Sequence, residues 1–329
     1  MEALDYSVVL EWDNTRTTSV GRPHRAFERV AEQMRAEPGS GELVVVFAED
    51  VFDEQELRAE LEPLAKDVAL HFVATPDLRY YQLKNAGVRE ARGRVVVFFD
   101  SDLLLAEGCL QALLAASQEE GVEFVAGHTT CDRETLADRT FAITWSFPVV
   151  PRQPVLHAAR LFHTNSVAAP RELWLRFPFD AERTRYRGMC VDVARRLRAA
   201  GVTIWIEPRA RASHPRPEPL VRRALLEGRD RVLGLRATRG AVRTFFRLWS
   251  WFFKKAFGGD VRLWRARRSV DMPAWKVPAA CVLNTSYFFL AWASGVATLL
   301  RPGLHAASRE ERAHARDARA ALEGAPHES

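Results

Sequence analysis

Short apolar runs, each closed by a polar or acidic cluster, punctuate the first hundred residues, and stretches of helical spacing separate them. Tyr6-Ser7-Val8-Val9-Leu10 runs into Glu11-Trp12-Asp13-Asn14, as a buried strand feeding a loop would. Residues 24–36 bring Phe27, Val30, Ala31 and Met34 onto one helical face. After Pro38-Gly39-Ser40-Gly41, a second strand over 43–47 meets acid at Glu49-Asp50. The pattern then predicts a helix over 54–66, a strand over 69–73 and a helix over 80–91. Arg94-Val95-Val96-Val97-Phe98-Phe99 follows, the most continuous apolar strand in the chain, and it stops at Asp100. Strands alternating with helices predict an α/β fold, a Rossmann-like mainly parallel sheet flanked by helices with right-handed crossovers. Ligands of such sheets sit beyond the strand C-termini, where the acids of this chain fall.

The spacing predicts a helix over 106–120 and a short strand over 123–127, then a Pro-punctuated stretch over 128–187 with poor periodicity. Long irregular segments in a compact domain usually shape a binding site. A helix over 189–200 ends at Gly201, and a strand over 202–206 leads to His214 in a Pro-rich exit. Beyond it comes a basic helix through 220–236, then Phe245-Phe246-Arg247-Leu248-Trp249-Ser250-Trp251-Phe252-Phe253-Lys254-Lys255. No charge occurs from Val277 to Leu300, a length that reaches across a bilayer core, although Asn284, Thr285 and Ser286 interrupt its hydrophobicity. The expected organisation is an α/β domain over 1–220, a helical membrane-associating region over 221–300, and a charged tail, helical or disordered, over 301–329.

Composition changes this picture little: 47% hydrophobic and 27% charged residues are ordinary for a globular chain of 329 residues. The net charge of +5 comes from Lys and Arg crowded into the C-terminal half, whereas residues 42–62 are acidic. With no zinc-finger spacing and no aromatic-basic RNA signature, nucleic acid is not expected as a partner. The basic surface suits anionic lipid instead. Lys254, Lys255, Arg262, Arg265, Arg267 and Arg268 beside the aromatics predict membrane attachment, the alternative being a packed helical pair over the sheet. Arg301, Arg309, Arg312, Arg316 and Arg319 follow the apolar stretch too, so a re-entrant or surface-lying helix competes with a single crossing. Cys109, Cys131, Cys190 and Cys281 form no C-x-x-C pair, and the start Met1-Glu2-Ala3-Leu4-Asp5 lacks the charge and apolar pattern of a signal peptide. Reduced thiols and a cytoplasmic location are expected.

Asp100-Ser101-Asp102 carries the chemistry. Two carboxylates at i and i+2 on the end of a buried strand can hold a divalent cation against phosphate oxygens, because hard metals want oxygen ligands. Such a metal would offset charge on a departing nucleoside diphosphate. The competing reading of an isolated D-x-D is a solvated turn.

Several separated matches extend the pattern. Ser7-Val8-Val9-Leu10 with Asn14, then Lys84-Asn85-Ala86-Gly87, Ala91-Arg92-Gly93 and Asp100-Ser101-Asp102, then Phe177-Pro178-Phe179-Asp180 with Gly188 and a helix from Asp192 to Gly201, stand in one order. Over roughly residues 5–220 the chain resembles the family-2 inverting nucleotide-sugar glycosyltransferases of GT-A fold. The resemblance implies a metal, Mg2+ or Mn2+, with Asp102 as direct ligand and Asp100 contacting ribose or assisting the metal. It implies that the loops holding Glu11, Asp13 and Asn14 and holding Glu49 and Asp50 receive base and ribose. Lys84 would neutralise phosphate, its alternative being an exposed helix lysine, and His214 would add a third metal or phosphate contact, its alternative being a loop histidine.

The departures are specific. Glu11-Trp12-Asp13 replaces the family's Pro-Thr-Tyr, Phe47-Ala48 falls where an acid pair is usual, and Cys190 occupies the usual position of the general base. An inverting transfer needs a carboxylate near the acceptor hydroxyl. Asp192 is the surviving acid and the expected base, with Asp180 or Glu182 in a shifted register as alternatives; the bland reading of Asp192 is a helix pair with Arg196. The implied function is sugar transfer from a nucleotide-sugar donor to a glycan or lipid-linked acceptor, in cell-envelope glycan or lipid-linked saccharide synthesis at the cytoplasmic face of the cell membrane. Two competing readings stand beside it: a catalytically degenerate nucleotide-sugar or glycan binding protein, and a nucleotidyltransferase, which lacks support for want of a Gly-rich, Lys-containing loop after the first strand.

Overall fold

The computed structural model describes residues 4–17, 21–76, 78, 80–145, 147, 155–180, 189–216, 219–236 and 240–301. The chain begins with β1 (Leu4–Glu11), α1 (Arg22–Ala36), β2 (Gly41–Ala48), α2 (Glu54–Leu61), β3 (Ala69–Thr75), α3 (Tyr80–Glu90) and β4 (Gly93–Asp100). It continues through β5 (Leu104–Leu105), α4 (Cys109–Ser117), β6 (Phe124–Cys131), α5 (Leu136–Thr144), β7 (His157–Ala159), β8 (Ser166–Pro170), α6 (Arg171–Arg176), α7 (Met189–Ala199) and β9 (Ile204–His214). The C-terminal helices are α8 (Leu220–Arg236), α9 (Ala241–Lys255), α10 (Phe257–Ala266) and α11 (Val277–Leu300).

One sheet of order β3-β2-β1-β4-β8-β6-β9-β5, with β7 on β9, forms the centre. The first four strands are parallel, as the alternating pattern predicts. Their register sets Glu11 of β1 beside Asp100 of β4, so two acids meet at one edge. β8 then runs antiparallel to both β4 and β6, while β6 and β9 are parallel, so the sheet is mixed beyond β4. The two motif glycines have a steric reason. A Cβ on Gly93 would lie 2.2 Å from the Tyr6 carbonyl carbon, and one on Gly87 would lie 2.3 Å from Val9 Cγ1. Only glycine lets α3 lie on β1 and lets β4 start beside it.

Side-chain alternation splits the core across the sheet. Val8, Leu10, Val45, Val97 and Phe99 face α1 and α4. Val9, Val46, Val96 and Phe98 face α3, α6 and α7, with Trp174 of α6 among them. A third core joins Cys131, Phe141, Trp145 and Phe147 to Leu248, Trp251, Leu263, Tyr287 and Phe288, so α5 of the sheet region packs into the same apolar mass as α8–α11.

Several boundaries differ from the sequence expectation. α2 stops at Leu61 and α4 spans only Cys109–Ser117, and β9 runs on from Ile204 to His214. The stretch expected to be irregular contains the second half of β6, α5, β7, β8 and α6. α5 is set by a capping box, in which Asp138 N donates to Thr135 Oγ1 at 3.1 Å and Thr135 N donates to Asp138 Oδ2 at 2.8 Å. Of the charged tail only Arg301 is among the described residues.

Candidate metal and nucleotide site

Asp100 ends β4, and its main chain turns at once, with Leu103 N donating to the Asp100 carbonyl at 3.0 Å. The turn brings Asp102 back under the sheet edge, where His214 ends β9. Ligand atoms of Asp100, Asp102 and His214 all lie within 4.8 Å of one another, and all three residues are buried. His214 Nδ1 is 2.6 Å from the Pro215 carbonyl. A carbonyl can only accept, so Nδ1 carries a proton, and in the neutral ring Nε2 then keeps its lone pair. That lone pair points toward Asp102 Oδ1, 3.8 Å away. Asp102 Oδ1 is itself buried without a hydrogen-bond partner. A carboxylate oxygen and an imidazole lone pair converging without a proton between them fit a cation.

The electrostatics agree. Burial pushes the Asp102 carboxyl above the usual range, His214 pulls it down and Asp100 pushes it further up. Burial likewise raises Glu11 well above its ordinary value, against the pull of Lys84 and with the push of Asp100, Asp13 and Asp102. Several carboxyls therefore compete for too little positive charge, and a divalent ion would relieve them.

Asp100 is held more tightly than Asp102. Tyr80 Oη donates to both of its oxygens at 2.8 and 2.9 Å, and Lys84 Nζ is 2.8 Å from Oδ1. Tyr80 and Lys84 stand one helical turn apart on α3, so a single face of that helix serves one carboxylate. Lys84 is fully buried. That corrects the reading of Lys84 as an exposed helix lysine: it is the buried counter-ion of Asp100.

Glu11 is also buried, with Oε2 accepting from Asp13 N at 3.0 Å and Asn14 N at 3.3 Å, and Oε1 accepting from Asn14 Nδ2 at 3.0 Å. Its oxygens close the turn after β1 and so shape the loop expected to receive base and ribose. Asp13 is half-exposed beside it and Asn14 is buried within the turn. Glu49 and Asp50 are exposed in the turn after β2, at the mouth of a shallow depression of about 360 Å³ shared with Phe47, Phe52 and Ala74. They lie on the same sheet edge as Asp100, two strands away.

Asp192 stands in the first turn of α7, with an oxygen 4.0 Å from Arg195. Arg196, the partner expected from sequence, donates to the Pro178 carbonyl. Asp192 is not part of the Asp100–Asp102–His214 group. Asp180 closes the described stretch before α7, and Glu182 and Gly188 lie outside the described residues.

Residues that sequence reasoning passed over complete the site. Arg22 donates through Nε to the Asp102 carbonyl at 2.6 Å and through Nη2 to the Ser213 carbonyl at 3.0 Å, and forks onto Asp132 at 2.6 and 3.2 Å. It ties the Asp102 turn to the end of β9, one residue before His214. Trp145 and Phe147 approach the His214 ring to centroid distances of 5.8 and 5.2 Å, and Phe147 meets His163 at 4.7 Å. Burial, with His214 adding to it, drives the His163 ring down to about 4, and Asp100 opposes the shift. His163 thus belongs to the site's surroundings. Arg22 had one available signal, a charged residue in an otherwise amphipathic first turn of α1; the aromatic wall had none, because it is assembled from distant segments.

A Rossmann-like sheet with an Asp-x-Asp turn on its C-terminal edge defines the class of nucleotide-binding α/β domain called GT-A. Residues 24–171 match the family model described as glycosyl transferase family 2. The match lies within the sheet domain and covers less than half of the chain, so the chain resembles this family over its sheet region. Asp192 and His214 lie outside the matched residues, so their placement rests on geometry alone. No curated protein matches the chain. Among solved structures, GalNAc-T7 with UDP, GalNAc and Mn2+ is 14% identical at a TM-score of 0.49 and covers 66% of this chain. The chain spans only 44% of that protein. The mannosyltransferase PcManGT from Pyrobaculum calidifontis, in complex with GDP-Man and Mn2+, is 17% identical at a TM-score of 0.48, with 98% of this chain and 81% of that one covered.

Proposed function

We propose that the protein is a metal-dependent, inverting glycosyltransferase that moves a sugar from a nucleotide diphosphate donor to an acceptor hydroxyl. The observation that carries this reading is the convergence of Asp102 Oδ1, the His214 Nε2 lone pair and Asp100 at the C-terminal edge of the parallel strands. Asp102 and His214 would hold the cation, with Asp100, anchored by Tyr80 and Lys84, as third ligand or ribose contact. The imidazole favours Mn2+ over Mg2+, since Mg2+ takes oxygen ligands almost exclusively. The bound metal would stabilise charge on the leaving diphosphate. Asp13, Asn14, Glu49 and Asp50 border the edge where base and ribose would lie. Asp192 is the base in this reading, at the N-terminus of α7 and on the acceptor side. The test is a screen of sugar nucleotides with Mn2+ that follows nucleoside diphosphate release and the anomeric configuration of the product. Release with an inverted anomer supports the reading, and retention of configuration contradicts it.

A second reading, a glycan- or nucleotide-sugar-binding protein without turnover, draws on Cys190 at the usual base position and on Phe47-Ala48 in place of acids. Phe47 and Ala48 are buried. Burial drives the Cys190 thiol up to about 11, so it cannot serve as a base near neutral pH. Donor binding without release would favour this alternative.

The C-terminal region supports a membrane-facing role on the cytoplasmic side, with a lipid-linked or envelope glycan as acceptor. Ala274–Leu300 is long and apolar enough to cross a membrane by length and composition. Its polar groups, however, are engaged by neighbouring helices. Asn284 and Thr285 both donate to Asp260 of α10, at 2.9 and 3.0 Å, and Tyr287 donates to Glu227 of α8 at 2.9 Å. α8 also carries Arg222, Arg223, Arg229, Asp230 and Arg231, and charges at bilayer mid-depth are costly. This packing favours helices lying on the membrane over a crossing. Phe246, Phe253, Phe257 and Trp264 are exposed on α9 and α10, with Arg243, Arg247, Lys254 and Arg265 also exposed on the same helices, the composition of an interfacial platform on anionic lipid.

A further inference from the structure

Behind the Asp102 turn, at the β5 edge of the sheet, a groove of about 770 Å³ runs between α1 and the ends of β6 and β9. Arg25 and Arg29 of α1, Arg133 after β6 and Arg211 of β9 line it, against Glu28 and Glu32. Arg29 is already paired with Glu32 at 2.8 Å. Arg25 and Arg211 have no carboxylate partner among the described residues. His128 also lines the groove, and its Nε2 is buried without a hydrogen-bond partner. A buried polar nitrogen left unpaired costs free energy that a ligand can recover. Burial first, and then Arg211, Arg133 and His157, drive the His128 ring down to about 4. The volume suits a small organic molecule rather than a bare ion.

The groove is distinct from the metal site but shares its walls. Leu104 and Leu105 follow Asp102 by two and three residues, Ser213 precedes His214, and Arg22 hydrogen-bonds the carbonyls of both Asp102 and Ser213. Arg22, held by Asp132, thus links the two through the chain.

We propose that this groove is a second anion site, which binds a phosphate-bearing small molecule through Arg25, Arg211 and His128. Guanidinium groups match phosphate oxygens as planar forks, and His128 supplies one further nitrogen from the floor. The inference does not depend on the glycosyltransferase reading, because none of these residues belongs to the metal site.

The experiment uses the full chain in EDTA, with histidine-labelled protein and inorganic pyrophosphate as probe. Expected are a moved His128 resonance and a His128 titration midpoint raised by a unit or more. Arg25→Glu with Arg211→Glu, both exposed positions that should leave the melting temperature unchanged, should weaken binding at least tenfold. Asp102→Ala should leave that binding intact. Vesicles of phosphatidic acid in phosphatidylcholine form the second arm: a His128 response to vesicles alone supports a lipid phosphate as the ligand, and a response to pyrophosphate supports a soluble one. An unmoved His128 in both arms, or pyrophosphate binding that is lost with Asp102→Ala and untouched by the arginine changes, overturns the proposal.

Discussion

His214 Nε2 faces Asp102 Oδ1 across 3.8 Å while Nδ1 of the same ring is committed to the Pro215 carbonyl at 2.6 Å. With the ring neutral and the carboxyl ionised, two lone-pair donors are therefore aimed at one point. The consequences are measurable in the metal-free protein as well as in the loaded one.

Asp102 is raised above the ordinary carboxyl range by burial and by Asp100. A carboxyl whose folded value is raised contributes stability that is fully present below its unfolded value and lost as pH rises through the folded one. At neutral pH in EDTA the raised Asp102 carboxyl thus weakens the fold. Asp102→Asn should raise the melting temperature in EDTA by about 2–4 °C, and Mn2+ should raise that of the wild type only. A variant that melts lower than wild type in EDTA would count against a site strained by its own charges.

Lys84 and Asp100 form a buried ion pair at 2.8 Å. Removing one partner leaves a buried charge uncompensated, at a cost of about 3–5 kcal/mol. Lys84→Met should destabilise by that order in denaturant unfolding, and adding Asp100→Asn should recover a large part of it. Additive losses in the double mutant would show that the pair is not coupled.

His128 is depressed to about 4. For a histidine the unfolded chain then binds more protons than the native one between pH 4 and 6.5, so stability rises with pH across that window. Acidification from pH 6.5 to 4.5 should cost about 1–2 kcal/mol through this ring, discounted for solvent near the groove. His128→Gln should flatten the slope there, and an unchanged slope would locate the acid sensitivity elsewhere.

Phe246 and Phe257 are exposed, at 66% and 53%. Changing both to Ser should abolish flotation with anionic liposomes while leaving the unfolding transition within about 0.5 kcal/mol, as expected of surface positions. Protease or thiol-probe access to positions 275 and 300 from the same side of the membrane is the companion result. Access from opposite sides would restore a crossing helix.

The parallel half of the sheet was legible because its strands are continuous β-branched runs with acids at their ends, and α11 coincides with the uncharged stretch. The candidate metal group was legible for a related reason: Asp100 and His214 end strands and Asp102 lies in the turn just after β4. What stayed hidden is tertiary. β8 is only Ser166–Pro170, mostly small residues, and gains its strand character from pairing with β4 and β6. The burial of Lys84 and the inward turn of Glu11 depend on partners that no local pattern announces. Arg22 reaches Asp132 across 110 positions, a contact that spacing cannot reveal.

The most direct test of the central claim compares wild type and Asp102→Ala for Mn2+ binding and for Mn2+-dependent release of nucleoside diphosphate from the donor the screen identifies. The account predicts that the variant loses at least a hundredfold in both while still folding. Full metal-dependent release by Asp102→Ala would contradict it.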